Sequence, residues 1–228
     1  MIILSGASGG VGKEIIKHLL KMDDVIGIYN SSHPAAPTGN GLVYEKVDIG
    51  KPAGIKSFVK KWGHRLSKIT LIHGAAVKID GLSANYTEAD WDKVMRVNLK
   101  GNFLLTQALL PHMLRERWGR IIHFSSLGGM QGGPGTIAYS ASKTGLIGMS
   151  RVLAKEYARF NITSNVLAIG YFEVGLFNAL NNDEKKKILN KIPSKKLGGI
   201  SNIANAVEFL MKSDYVNGAI INIDGGAD

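Results

Sequence analysis

Short apolar runs alternate with longer amphipathic ones along the whole of this chain, and few folds accept that pattern. The short runs are Ile2–Ser5, Val25–Tyr29, Leu42–Val47, Ile69–His73, Arg120–Phe124, Thr163–Ala168 and Ala219–Ile223, each of strand length. Between them Gly12–Lys21, Ile55–Arg65, Ala89–Arg117, Tyr139–Ala158, Asp183–Asn190 and Ile203–Met211 carry helical periodicity. Parallel strands joined by crossover helices produce this alternation, so the expectation is an α/β, doubly wound parallel sheet of about seven strands with helices on both faces. The 228 residues show no composition break and no low-complexity linker, which predicts one domain over 1–228. Such sheets bind ligands beyond the carboxyl ends of their strands. Gly6, Asn30, Asp48, Gly74 and Ser125–Ser126 stand at those places.

The loop Ser5-Gly-Ala-Ser-Gly-Gly-Val-Gly12 joins the first strand to the first helix. Its backbone amides and the positive end of the helix converge where a pyrophosphate would lie, and glycine permits both positive φ and close approach of the anion. Its spacing, Gly6-x-x-x-Gly10-x-Gly12, differs from the G-x-G-x-x-G fingerprint. In the second half, Tyr139 and Lys143 stand four residues apart in a predicted helix, on one face. A free tyrosine titrates near ~10 and exchanges protons poorly at neutral pH unless a positive charge favours its phenolate.

With this loop and Tyr139-x-x-x-Lys143, the chain resembles the short-chain dehydrogenases/reductases, whose glycine pattern is T-G-x-x-x-G-x-G, over nearly its whole length. The resemblance implies a Rossmann-type sheet and hydride transfer between a nicotinamide cofactor and a carbonyl or alcohol. It places the active-site serine of the family at Ser126, after Ile121-Ile-His-Phe, and the asparagine at Asn98 in Val97-Asn-Leu-Lys100. Tyr139 is then the general acid/base and Ser126 the group that holds and polarises the carbonyl oxygen. Lys143 lowers the phenol and binds the nicotinamide ribose, while Asn98 holds a water that links Lys143 to solvent. The expected cofactor contacts are Ser5, Gly6, Ser8, Gly10, Val11 and Gly12 in the loop, Asn30 and Ser31 after the second strand, and Asp48 and Ile49 after the third. Gly74, Ala75, Tyr139, Lys143 and Gly170 complete the set.

The chain departs from the family pattern in two places. His73-Gly-Ala-Ala76 stands where N-N-A-G is usual, which puts the bracing of the central sheet in question. Ile169-Gly170-Tyr-Phe-Glu-Val174 stands where P-G-x-x-x-T is usual, without the proline and the threonine hydroxyl. Cofactor choice turns on the end of the second strand, where a carboxylate would accept from a ribose 2′-hydroxyl and repel a 2′-phosphate. Asn30, Ser31, Ser32 and His33 offer no carboxylate and no arginine; the net charge of +10 tilts the expectation to NADP, with NAD as the other choice.

That charge also favours an acidic partner. Its densest run, Lys185–Lys187 with Lys191, Lys195 and Lys196, lies in the segment 171–198 that forms a substrate lid in the family. Lys191–Gly199 and Val216–Gly226 look most like the 3-oxoacyl-(acyl-carrier-protein) reductases, so the expected substrate is a small-molecule or acyl-thioester carbonyl compound, with an acidic acyl carrier protein as docking partner near Arg117. The second docking position holds Phe160, beside Arg159. A nucleic-acid module is disfavoured by an aromatic content of 7% and the lack of its motifs, and no apolar run approaches the ~18–20 residues that cross a bilayer. The chain has no cysteine, which excludes disulfides and thiolate metal sites, and no metal site is expected. Met1–Leu4 runs straight into the glycine loop without a secretory signal, so the expected location is cytoplasmic. Apolar residues on more than one stripe of Ala89–Arg117 and Tyr139–Ala158 predict a homo-oligomer, a tetramer or dimer. The alternative function is a nucleotide-binding regulatory module of the same fold with little turnover.

Overall fold

A computed structural model describes residues 1–32, 34, 39–174 and 181–227. Inside its sheet lies β1 (Ile2–Ser5), paired in parallel with β2 (Val25–Tyr29) on one side and β4 (Thr70–His73) on the other. β3 (Leu42–Lys46) extends the sheet beyond β2, and β5 (Gly119–Ser126), β6 (Ile162–Ile169) and β7 (Ile220–Ile223) extend it beyond β4. All seven run parallel in the order β3-β2-β1-β4-β5-β6-β7, the doubly wound arrangement expected from the alternation.

Successive strand residues point to opposite faces, and each face has its own core. Ile2 and Leu4 pack with Ile15, Leu19, Ile203 and Val207 of α1 (Gly10–Leu19) and α8 (Ile200–Lys212). Ile3 and Leu71 pack on the other face with Phe58, Leu105, Leu109 and Met113 of α2 (Pro52–Trp62) and α4 (Gly101–Glu116).

Strand and helix identities agree with the sequence expectation, and the ends differ for local reasons. α2 begins at Pro52, whose fixed φ suits a first helical turn, three residues before Ile55. β5 and β6 run to Ser126 and Ile169, because their parallel pairing continues to that last pair of residues. The helix expected over Ala89–Arg117 is divided: α3 (Glu88–Met95), capped by the Thr87 hydroxyl accepting from Asp90 N–H, passes through a π-helical turn at Arg96–Lys100 before α4. A short helix, α5 (Leu127–Gln131), precedes α6 (Ile137–Tyr157) and lies in a glycine-rich stretch that carries no helical signal. α7 (Asn182–Lys191) completes the helices between β6 and α8.

Candidate active site

The glycine loop leaves β1 at Gly6, whose φ of +76° suits glycine, and a Cβ there would come within 2.6 Å of Ala75 N. A Cβ at Gly12 would stand 2.1 Å from Gly6 O. These two positions therefore need glycine for space as well as conformation. The Ser5 hydroxyl accepts from Ala75 N–H (3.3 Å) and donates to Ile72 O (3.5 Å), tying the first loop to the segment after β4. α1 starts without a side-chain cap and without an acidic residue in its first turn, so the Gly10–Gly12 amides are open to an anion. Ser8 and Val11 are half-buried beside them. The cradle fits a pyrophosphate.

Around this cradle the other cofactor candidates take their places. Asn30 and Ser31 are exposed after β2, while His33 lies outside the described residues. Asp48 accepts from Gly50 N–H (3.0 Å), and its second oxygen faces Arg96 (3.6 Å) and Lys51 (3.9 Å). Ile49 is buried against Gly101. Gly170 passes so close to β7 that a Cβ would stand 2.7 Å from Asp224 Cα. The departure at His73 is met by a different brace: His73 is buried, bonds Thr106 Oγ1 through Nε2 (2.8 Å) and stacks on His123 at 4.9 Å. The expected lid is closed at its base by a parallel bridge between Phe172 and Gly198; its residues 175–180 lie outside the described residues.

Ser126 ends β5 and Tyr139 stands in the first turn of α6, both half-buried, with the Ser126 hydroxyl close enough to Tyr139 to favour its phenolate. Burial raises the Tyr139 phenol, and the nearby Ser126 hydroxyl and the positive charge of Lys78 oppose that rise. Lys143 is buried, donates to Phe124 O (2.6 Å) and lies 5.8 Å from the Tyr139 ring centre. Burial lowers its ammonium to about 8, below the ordinary tyrosine range, so in the free protein Lys143 gives up its proton before the phenol does. Lys78 is the cation whose field favours the phenolate here.

Asn98 occupies the π-helical turn and is fully buried. Its Oδ1 accepts from Val77 N–H (2.8 Å), and its Nδ2 donates to Val77 O (2.9 Å) and to Ser142 Oγ (3.1 Å). Ser142 in turn donates to Tyr139 O (2.7 Å), so Asn98 fastens the segment after β4 to the tyrosine's own helical turn. Ser142 and Lys78 are absent from the sequence reading. Ser142 carried a faint signal, a serine three residues after Tyr139, where a hydroxyl can bond back to the preceding turn. Lys78 carried none, since only the tertiary fold brings it near Tyr139.

The sequence profile of the short chain dehydrogenase family matches residues 1–185 of this chain. The chain belongs to the short-chain dehydrogenase family. Among its relatives, Nodulation protein G of Rhizobium sp. (strain N33) is 34% identical over 232 residues, covering 98% of this chain and 95% of the relative. The 3-oxoacyl-[acyl-carrier-protein] reductase FabG of Escherichia coli (strain K12) is 34% identical over 235 residues with the same coverage, and that of Rickettsia felis is 34% identical over 231. This short-chain dehydrogenase is therefore an oxidoreductase by family, with a seven-stranded parallel sheet and the family's nicotinamide class of cofactor. Among the described residues no helix is long and apolar enough to cross a membrane, and no cluster of three or more metal-ligating side chains occurs.

One expectation meets a geometric obstacle. Arg117 precedes β5 and Arg159 precedes β6, at the amino ends of strands whose carboxyl ends carry Ser126. Both guanidinium groups flank Phe160, at 5.6 and 4.7 Å. Arg159 lies twenty residues beyond Tyr139 along α6 and its extension, about 30 Å at a helical rise. In one chain this cluster is remote from the tyrosine.

Proposed function

We propose that this protein is an NADPH-dependent carbonyl reductase, in which Ser126 holds the carbonyl oxygen and Tyr139 delivers the proton. The observation that carries the reading is the convergence of Ser126 at the end of β5 on Tyr139 in the first turn of α6, with the buried Lys143 one turn behind the tyrosine. The bound nicotinamide supplies the hydride. Ser5 and the Gly6–Gly12 loop would hold its pyrophosphate, Asn30 and Ser31 the 2′ substituent, Asp48 and Ile49 the adenine side, and Gly74, Ala75 and Gly170 the nicotinamide side. Lys143 would hold the ribose hydroxyls and Asn98 keep the tyrosine's turn in register.

Asn30 and Ser31 at the 2′ end, with no carboxylate, support NADPH over NADH. The relatives named 3-oxoacyl-[acyl-carrier-protein] reductase support a 3-oxoacyl carbonyl as the substrate skeleton, and 171–198 would be the lid over it, at work in the cytoplasm. The test follows NADPH and NADH oxidation at the nicotinamide absorbance with acetoacetyl thioesters and simple ketones. Turnover with NADPH, abolished in Tyr139→Phe while cofactor binding persists, is the expected result. A Tyr139→Phe protein that reduces substrate at the wild-type rate sinks the acid/base assignment. Cofactor binding by the wild type without turnover on any carbonyl favours the regulatory module.

A further inference from the structure

The segment that leaves β4 is a fixed arm over the site. It is extended, and its residues alternate: Ala76, Lys78 and Asp80 are exposed, while Val77, Ile79 and Gly81 are half-buried. Each inward residue is fastened. Asn98 holds Val77 by both backbone groups, the Tyr86 hydroxyl donates to Ile79 O (3.0 Å), and Gly81 N–H donates to Gly135 O (2.9 Å). Gly135 lies four residues before Tyr139, so the arm is anchored to the ground from which the phenol projects.

What the arm presents outward is a cation and, farther along, exposed apolar side chains. Lys78 Nζ seats on Asp80 Oδ2 at 2.8 Å, with the two side chains 37% and 59% exposed, and a pair so open to water separates at little cost. The parallel bridge between Gly81 and Thr136 brings the next residues, Leu82 and Ile137, side by side. Both are large apolar side chains that remain 64% and 40% exposed. The influence of Lys78 on the Tyr139 phenol is consistent with this placement.

We propose that this arm selects a free oxo carboxylic acid with a short alkyl chain, Lys78 taking the carboxylate in exchange for Asp80 while Leu82 and Ile137 cover the chain. The assignment rests on the carbonyl-reductase reading and deepens it. What Lys78 seats here is already a carboxylate, and a carboxylate from the substrate reproduces the same charge-assisted bond. A thioester of the same acid has no charge to offer this ammonium.

The test compares acetoacetate with methyl acetoacetate, which differ in charge at the end away from the ketone, using the NADPH-loaded enzyme. Lys78→Met is expected to lower kcat/KM for acetoacetate about tenfold more than for the ester, the difference lying in KM, while any loss of its field on Tyr139 lowers kcat for both substrates alike. Lys78→Arg should keep most of the preference, and Asp80→Asn should lower the KM for acetoacetate by removing the internal competitor. An acid-over-ester preference unchanged in Lys78→Met, or a change confined to a kcat loss shared by both substrates, overturns the proposal. If the wild type reduces neither ketone, the reductase reading falls, and the arm is judged by calorimetry on Tyr139→Phe protein loaded with NADPH. Acetoacetate binding that Lys78→Met removes upholds the arm's role; no binding, or binding that Lys78→Met leaves intact, refutes it.

Discussion

Lys143 carries its charge where burial resists it. At pH 7, below both its folded value of about 8 and the ordinary value of 10.5, the full cost of that burial, about 3 kcal/mol, weighs against the fold. Lys143→Met, similar in length and without the charge, is expected to raise stability toward urea by up to this amount while abolishing turnover. The sign of its pH dependence follows from the depressed value. The unfolded chain holds this proton more tightly, so wild-type stability rises with pH from about 8 to 10.5, and Lys143→Met removes that rise. Denaturation in urea across the window checks both. Tyr139, Lys143 and Ser126 were legible in the sequence because their separations are short and the family motif preserves them. Lys78 was not, because sixty-one residues separate it from Tyr139 and only the Asn98 and Gly135 contacts bring them near each other.

Strands β4 and β5 place His73 and His123 directly opposite each other, both wholly buried and stacked with rings 11° from parallel. Nε2 of each has a hydroxyl partner, Thr106 for His73 and Ser164 for His123, and neither Nδ1 has a partner. Asn102 stands close enough to favour protonation of His73, yet its Oδ1 makes no bond of ordinary geometry. Burial first, then the neighbouring His123 and Lys143 for His73 and Lys143 for His123, hold both rings neutral, His123 down to about 3. Since the unfolded chain takes up these protons below about 6.5, this pair's contribution is present above that pH and fades as pH falls. The slope approaches about 1.4 kcal/mol per pH unit for each ring. Melting temperature should therefore drop steeply from pH 6.5 to 5, and less so in His123→Asn; equal slopes in the two proteins would contradict the account. In the sequence these histidines read only as polar interruptions in two apolar strands. Their pairing depends on register, which no single strand displays.

At the scale of the whole molecule, the strand alternation was sufficient for the sheet, and the site's cradle was visible as glycine spacing. The division of α3 from α4 was not, since the π-helical turn depends on Asn98 finding Val77 and Ser142. Phe103 on α4 and Val152 on α6 remain 47% and 53% exposed, which predicts self-association. Light scattering at micromolar concentration should give more than one chain, and Phe103→Glu with Val152→Glu should reduce it; a monomeric wild type would refute this. If Arg117 and Arg159 meet a carrier protein near any tyrosine, it is that of a neighbouring copy, because their own lies about 30 Å away. The interior position of β1, paired on both edges, has a further consequence, for the order of assembly. Its partner residues Ile2 and Thr70 are separated by 68 positions, and Gly6 gains its close neighbours only when Gly74 and Ala75 arrive. A refolding chain must close that long loop before the phosphate cradle has a second wall, so cofactor binding should appear after much of the helix signal has returned.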